Sequence, residues 1–137
     1  MVSYLVDSSV WLEFFRQRGT PAAHLIRQLI TSDPTVLLGC PPVRMELAVD
    51  LDDLRRHRTL KVYDGLPSAG ITDDDFDLAA AIYRAVRQSG HTIRSHQDSV
   101  IAAIALRQDA TVVHRDVDFD RMAEVIPNLA VLRLPDR

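Results

Sequence analysis

The chain has 137 residues, 47% of them hydrophobic, and a formal net charge of −3. That suits one domain with a real core, residues 1–137, and offers no overall field to attract nucleic acid. A lone cysteine, Cys40, excludes a disulfide framework or a cysteine zinc site, the apolar runs fall far short of a membrane span, and the start MVSYLVDSS lacks the pattern of a signal peptide, so a cytoplasmic protein is expected.

Ser3–Val6 reads as a buried strand. Val10, Trp11, Phe14 and Phe15 recur at helical spacing and predict a helix over Ser8–Gln17, ended by Gly19. Thr20 and Pro21 supply an N-cap and a first helical residue for a second helix through Ile30. Val36–Gly39 is a short strand, Pro41-Pro42 opens a helix to about Val49, and Asp52–Tyr63 is a more polar one. Gly65–Gly70 is a turn region, with little room for a short strand near Ile71. Thr72 caps a helix that runs to Gln88, where Ser89-Gly90 stops it. Ser95 opens a further helix to about Gln108; Thr111–His114 is a strand, Phe119–Val125 a short helix and Ala130–Leu134 a last strand. Alternation of strands and helices implies a parallel-rich α/β sandwich.

Four acids stand out on this frame. Asp7 and Asp116 follow buried strands, which deliver them to the carboxyl edge of a parallel sheet, where ligands bind in open α/β folds. Glu46 sits mid-helix among Val43, Met45, Leu47 and Ala48, and a carboxylate near a mainly apolar face wants a partner. Asp98 lies in the first turn of a helix whose next stretch, Ser99–Leu106, is small and apolar almost all round, so that helix is buried and its acid faces inward. Each acid has a bland alternative. Asp7 serves as an N-cap, Ser95-His96-Gln97-Asp98 forms a capping box, and Asp116 or Asp118 makes a turn. Taken together, carboxylates that converge repel one another unless a cation neutralises them, and hard divalent cations want oxygen ligands. The set therefore points to a magnesium-type site that handles phosphates.

Other clusters carry less. Asp73-Asp74-Asp75 is explained by the helix dipole and Asp52-Asp53 by a solvated helix start. His114 is at most a support for the acids around it, and His96 has no nameable partner. Arg55, Arg56, His57, Arg58 and Lys61 form the best basic patch, read first as a solvated helix face. Lys61 is the only lysine in the chain. That count weakens the main competing reading, a receiver-type phosphoryl-accepting signalling domain, which wants a lysine at a late strand end.

The segments LVDSSVW, RMELA, DSVIAAIAL and VVHRDVDFDRMA, in this order and spacing, resemble the PIN-domain nucleases, most closely the VapC toxins of type II toxin–antitoxin pairs. The resemblance implies a single α/β/α sandwich with a mostly parallel sheet and a metal-binding, catalytic set of Asp7, Glu46, Asp98 and Asp116, with Asp118 as an accessory ligand. Ser8 and Ser9 match the hydroxyl residues that follow the first aspartate in that family, while Ser99 stands where many relatives carry a small or apolar residue. It also implies a Mg²⁺- or Mn²⁺-dependent endoribonuclease acting on transfer or ribosomal RNA, usually dimeric, and silenced by a VapB-type antitoxin. On the chemistry, Glu46 is favoured to accept the proton of the attacking water, and Ser9 to steady a ligand carboxylate or a bound water. A non-catalytic PIN-like binding protein is the remaining alternative.

Overall fold

Strand β1 (Tyr4–Val6) lies at the centre of the sheet, between β2 (Leu37–Leu38) and β3 (Thr111–His114), with β4 (Val131–Arg133) outside β3. The order β2-β1-β3-β4 is parallel throughout, with Leu5 opposite Val112 and Val6 opposite Val113. This is a computed structural model, and it describes residues 2–135. The helices are α1 (Ser8–Phe15), α2 (Pro21–Ser32), α3 (Pro41–Asp50), α4 (Asp53–Asp64), α5 (Asp73–Gln88), α6 (His96–Gln108) and α7 (Val117–Val125). The strand order reverses between β1 and β3, and crevices at such points collect functional side chains.

Local chemistry explains the boundaries. Thr20 caps α2 through the Ala23 amide, with Pro21 next. Asp116 accepts from the Asp118 amide and so starts α7 at Val117, two residues before the expected Phe119. The expected strand at Val36–Gly39 shortens to Leu37–Leu38, because Asp33 caps a 3₁₀ turn over Pro34–Val36. The segment 65–70, expected only as a turn, reaches the sheet edge. Gly39 pairs with Ser68 in a single parallel bridge, its N–H donating to Pro67 O at 2.8 Å. A glycine suits that close approach, since a Cβ on Gly39 would meet the Tyr63 ring at 3.2 Å.

Leu5, Val6, Val112 and Val113 are fully buried, as strands covered on both faces require. Helix α6 packs on β3, α5 and α7, and Ile101 through Ala105 expose nothing. Deleting a side chain such as Ile101 or Ile104 would cost roughly 2–5 kcal/mol. Trp11 is also fully buried, stacked on Phe15 at 5.5 Å and edge-on to Tyr63 at 5.6 Å. Among the described residues no helix is long and apolar enough to cross a membrane.

Candidate functional site

The loops that leave β1 and β3 place their acids side by side. The Asp7 N–H donates to Val113 O at 2.9 Å, which ties the end of β1 to β3. Asp7 stands at the N-cap position of α1 but makes no capping bond; its Oδ2 accepts from Ser9 Oγ at 3.0 Å. Glu46 approaches from α3, its Oε2 accepting from Ser8 Oγ at 3.0 Å. Asp98 enters from the first turn of α6, and its carboxylate makes no hydrogen bond or ion pair among the described residues. Ser95 offers no side-chain cap either, so the capping box that the sequence allows is not formed. One ligand oxygen each from Asp98, Asp116 and Asp118 can be chosen so that all three lie within 4.8 Å of one another.

The charges report the crowding. Burial pushes Asp98 up to about 7, and the charges of Asp7, Glu46, Asp116 and Asp118 push the same way. Burial also raises Asp7 to about 6, with Glu46 adding to it and the Ser9 hydroxyl opposing it. All five acids thus share one electrostatic neighbourhood, though only three of them meet closely enough to share one ion.

Supporting residues hold the β3–α7 side. His114 is fully buried; its Nδ1 accepts the Asp116 N–H at 3.0 Å, and its Nε2 lies 3.3 Å from Asp120. Burial lowers its pKa, so the neutral ring carries its proton on Nε2, facing Asp120. Arg94, which sequence reasoning missed, bonds Asp116 through its guanidinium at 2.8 Å and Asp118 through Nε at 3.3 Å. Its backbone N–H also reaches Asp118 at 3.0 Å. No local sequence signal singles it out, because its contacts with Asp116 and Asp118 span 22 and 24 residues. Arg115 pairs with Glu13, fastening the same turn to α1.

Three buried carboxylate oxygens, Asp7 Oδ1, Glu46 Oε1 and Asp118 Oδ1, find no hydrogen-bond partner among the described residues. Leaving such an atom unsatisfied costs roughly 1–3 kcal/mol. Asp118 Oδ1 has only the ion-pair contact of Arg121 at 3.6 Å, and all-oxygen donors of this kind, beside the close Asp98–Asp116–Asp118 group, fit a hard divalent cation.

Two expectations need correction. Met45 is exposed, so the apolar neighbours that made Glu46 conspicuous do not all face the core; α3 buries only Pro42, Val43 and Leu47. Asp75 is more than a dipole acid. It is 2% exposed, completes a capping box with Thr72, and bonds Arg107 at 2.9 and 3.0 Å.

Away from the acids, a groove of about 800 Å³ opens between α1, α2 and α4, lined by Phe14, Phe15, Ile30, Leu54 and Val62, with Arg27, Arg55 and Arg58 alongside. Leu54 is almost wholly exposed there. A second apolar face joins Met45, Ile71 and Phe76 beside Val100.

A parallel α/β sheet with an acid cluster at the β1/β3 switch point has the architecture of a PIN domain, and the PIN-domain sequence profile matches residues 4–125. The chain belongs to the PIN-domain family, in the branch of the VapC ribonucleases. It is 43% identical over 123 residues to Ribonuclease VapC11 of Mycobacterium tuberculosis and to VapC ribonuclease Mb1587 of Mycobacterium bovis, covering 88% of this chain and 92% of each relative. Among solved structures, the VapBC2 complex of Rickettsia felis, bound to a DNA fragment from its promoter, is similar with a TM-score of 0.73 at 15% identity, covering 98% of this chain and 100% of that one. That likeness concerns the fold.

Proposed function

We propose that this VapC-type ribonuclease hydrolyses RNA phosphodiester bonds with the help of Mg²⁺ or Mn²⁺ at the pocket of Asp7, Glu46, Asp98, Asp116 and Asp118. The observation that supports the reading is the close group of Asp98, Asp116 and Asp118, beside buried oxygens of Asp7 and Glu46 that have no hydrogen-bond partner among the described residues. Asp7, Glu46, Asp98 and Asp116 are the ligands, direct or through water, and Asp118 is accessory. A divalent cation supplies Lewis acidity: it lowers the pKa of water and stabilises charge on the leaving oxygen. The chain does the rest. Ser9 steadies Asp7, and Ser8 holds one oxygen of Glu46 so that Oε1 stays bare to accept a proton. His114 fixes the Asp116 backbone. None of this uses the ribose 2′-OH.

The protein acts as the toxin of a pair, in the cytoplasm, on transfer or ribosomal RNA, with residues 1–137 as one PIN domain. The apolar groove between α1, α2 and α4 suits an amphipathic segment of a VapB-type antitoxin, and Arg27, Arg55 and Arg58 favour acids flanking that segment. The face around Met45, Ile71 and Phe76 suits a second copy of the chain, giving a homodimer.

The test is cleavage of mixed RNA by metal-stripped protein. Activity should be negligible in chelator and return with Mg²⁺ or Mn²⁺, leaving 5′-phosphate and 3′-hydroxyl ends. Asp98→Asn should lose roughly 10²–10⁴-fold. Full activity in excess chelator, or 2′,3′-cyclic phosphate ends, would overturn the mechanism. No cleavage with either metal, under conditions where RNA still binds, would favour the non-catalytic reading.

A further inference from the structure

The acid pocket is neutralised on one side only. Asp7 and Glu46 meet serine hydroxyls and Asp98 meets no donor among the described residues, whereas Asp116 and Asp118 share the guanidinium of Arg94. Those two aspartates, with Asp98, are the acids whose ligand oxygens come within 4.8 Å of one another. The guanidinium holds Oδ2 of Asp118 and Oδ1 of Asp116, and a divalent cation on the same two carboxylates would lie close enough for the like charges to repel.

The loop before α6 does not depend on the Arg94 guanidinium alone. The Arg94 backbone N–H already bonds Asp118 at 3.0 Å, and the adjacent Ile93 is 2% exposed, so the loop before α6 is anchored without the guanidinium. That side chain is 73% exposed. An ion pair so open to solvent is weak and screened, and its arginine is free to swing outward. Asp118 is 1% exposed and keeps Arg121 at 3.6 Å, so it is not stranded when the fork departs.

We propose that Arg94 is a built-in counter-ion that competes with a divalent cation for Asp116 and Asp118, and that it must withdraw before this side of the pocket is loaded. The proposal rests on the metal-dependent reading above. It makes Arg94 a positioning residue: it stabilises the pocket without metal and sets how much cation the pocket needs.

Mn²⁺ binding to metal-stripped protein without RNA, followed by calorimetry and by melting temperature, separates the possibilities. Arg94→Ala and Arg94→Gln should bind Mn²⁺ roughly two- to fivefold more tightly than wild type, the scale of an exposed ion pair that no longer has to open. Arg94→Lys should stay near wild type. In chelator the two neutral variants should melt below wild type, and Mn²⁺ should raise them by more. Lower melting with unchanged or weaker Mn²⁺ binding in both neutral variants would show a plain structural clamp and overturn the proposal. No Mn²⁺ binding in wild type or any variant would overturn the metal reading itself, and this proposal with it.

Discussion

Two helix starts share one sequence pattern and meet opposite fates. Thr72-Asp73-Asp74-Asp75 and Ser95-His96-Gln97-Asp98 each place an aspartate three residues after a hydroxyl residue, as a capping box requires. At α5 the box closes in both directions, and Arg107 holds the Asp75 carboxyl below the usual range. At α6 it stays open. Asp98 turns instead toward Asp7, Glu46, Asp116 and Asp118, and burial with those charges pushes it up to about 7. The difference lies in what each helix packs against. Helix α6 supplies Arg107 to meet Asp75, whereas the charges that act most on Asp98 are those of further acids. An acid with a built-in partner serves stability. An acid without one, held in a buried cluster, is a candidate for chemistry.

The largest stability effect should fall on the closed box. Asp75→Asn removes one partner of a buried ion pair along with half of the cap. We expect a loss of roughly 3 kcal/mol, at the low end for breaking a buried pair because Arg107 is partly exposed. Urea unfolding measures it, and RNA cleavage at a temperature where the variant is folded should be near wild type. A loss below about 0.5 kcal/mol, the scale of a surface substitution, would erase the contrast. A smaller pair of effects sharpens it. Thr72→Ala should cost about 1 kcal/mol, since Thr72 accepts from the Asp75 amide, whereas Ser95→Ala should cost a few tenths at most. Equal costs in thermal unfolding would mean that both boxes close in solution.

The sheet and its helices were legible in the sequence because strand runs such as Thr111–His114 are apolar and stop at turn chemistry, while helix starts carry Thr20-Pro21 or Thr72. Asp7 and Asp116 were legible as strand-end acids, since chain direction alone sends them to the carboxyl edge. Asp98 was legible only through its surroundings, the apolar Ser99–Leu106 stretch, because its own pattern matches Asp75. Glu46 was reached by a partly mistaken route: Met45 faces outward, and what singles Glu46 out is Ser8, a contact 38 residues away in sequence. Arg94, the Arg107–Asp75 pair and the Gly39–Ser68 bridge all depend on long-range packing, which no local period encodes.

The most direct test of the account is the metal-free stability of wild type and Asp98→Asn, followed by unfolding in chelator from pH about 5 to about 7.5. An acid whose folded pKa stands above its unfolded value holds more protons in the native state, so wild type should lose stability as pH rises from the unfolded value of 3.8 toward about 7. His114, lowered by burial, slopes the other way below 6.5, but it is common to both proteins and cancels in the difference. Asp98→Asn should therefore be at least as stable as wild type near pH 5, and its margin should widen up to pH about 7 and then level. A variant that melts well below wild type across this range, with cleavage largely retained, would show Asp98 to be a helix cap and would contradict the account.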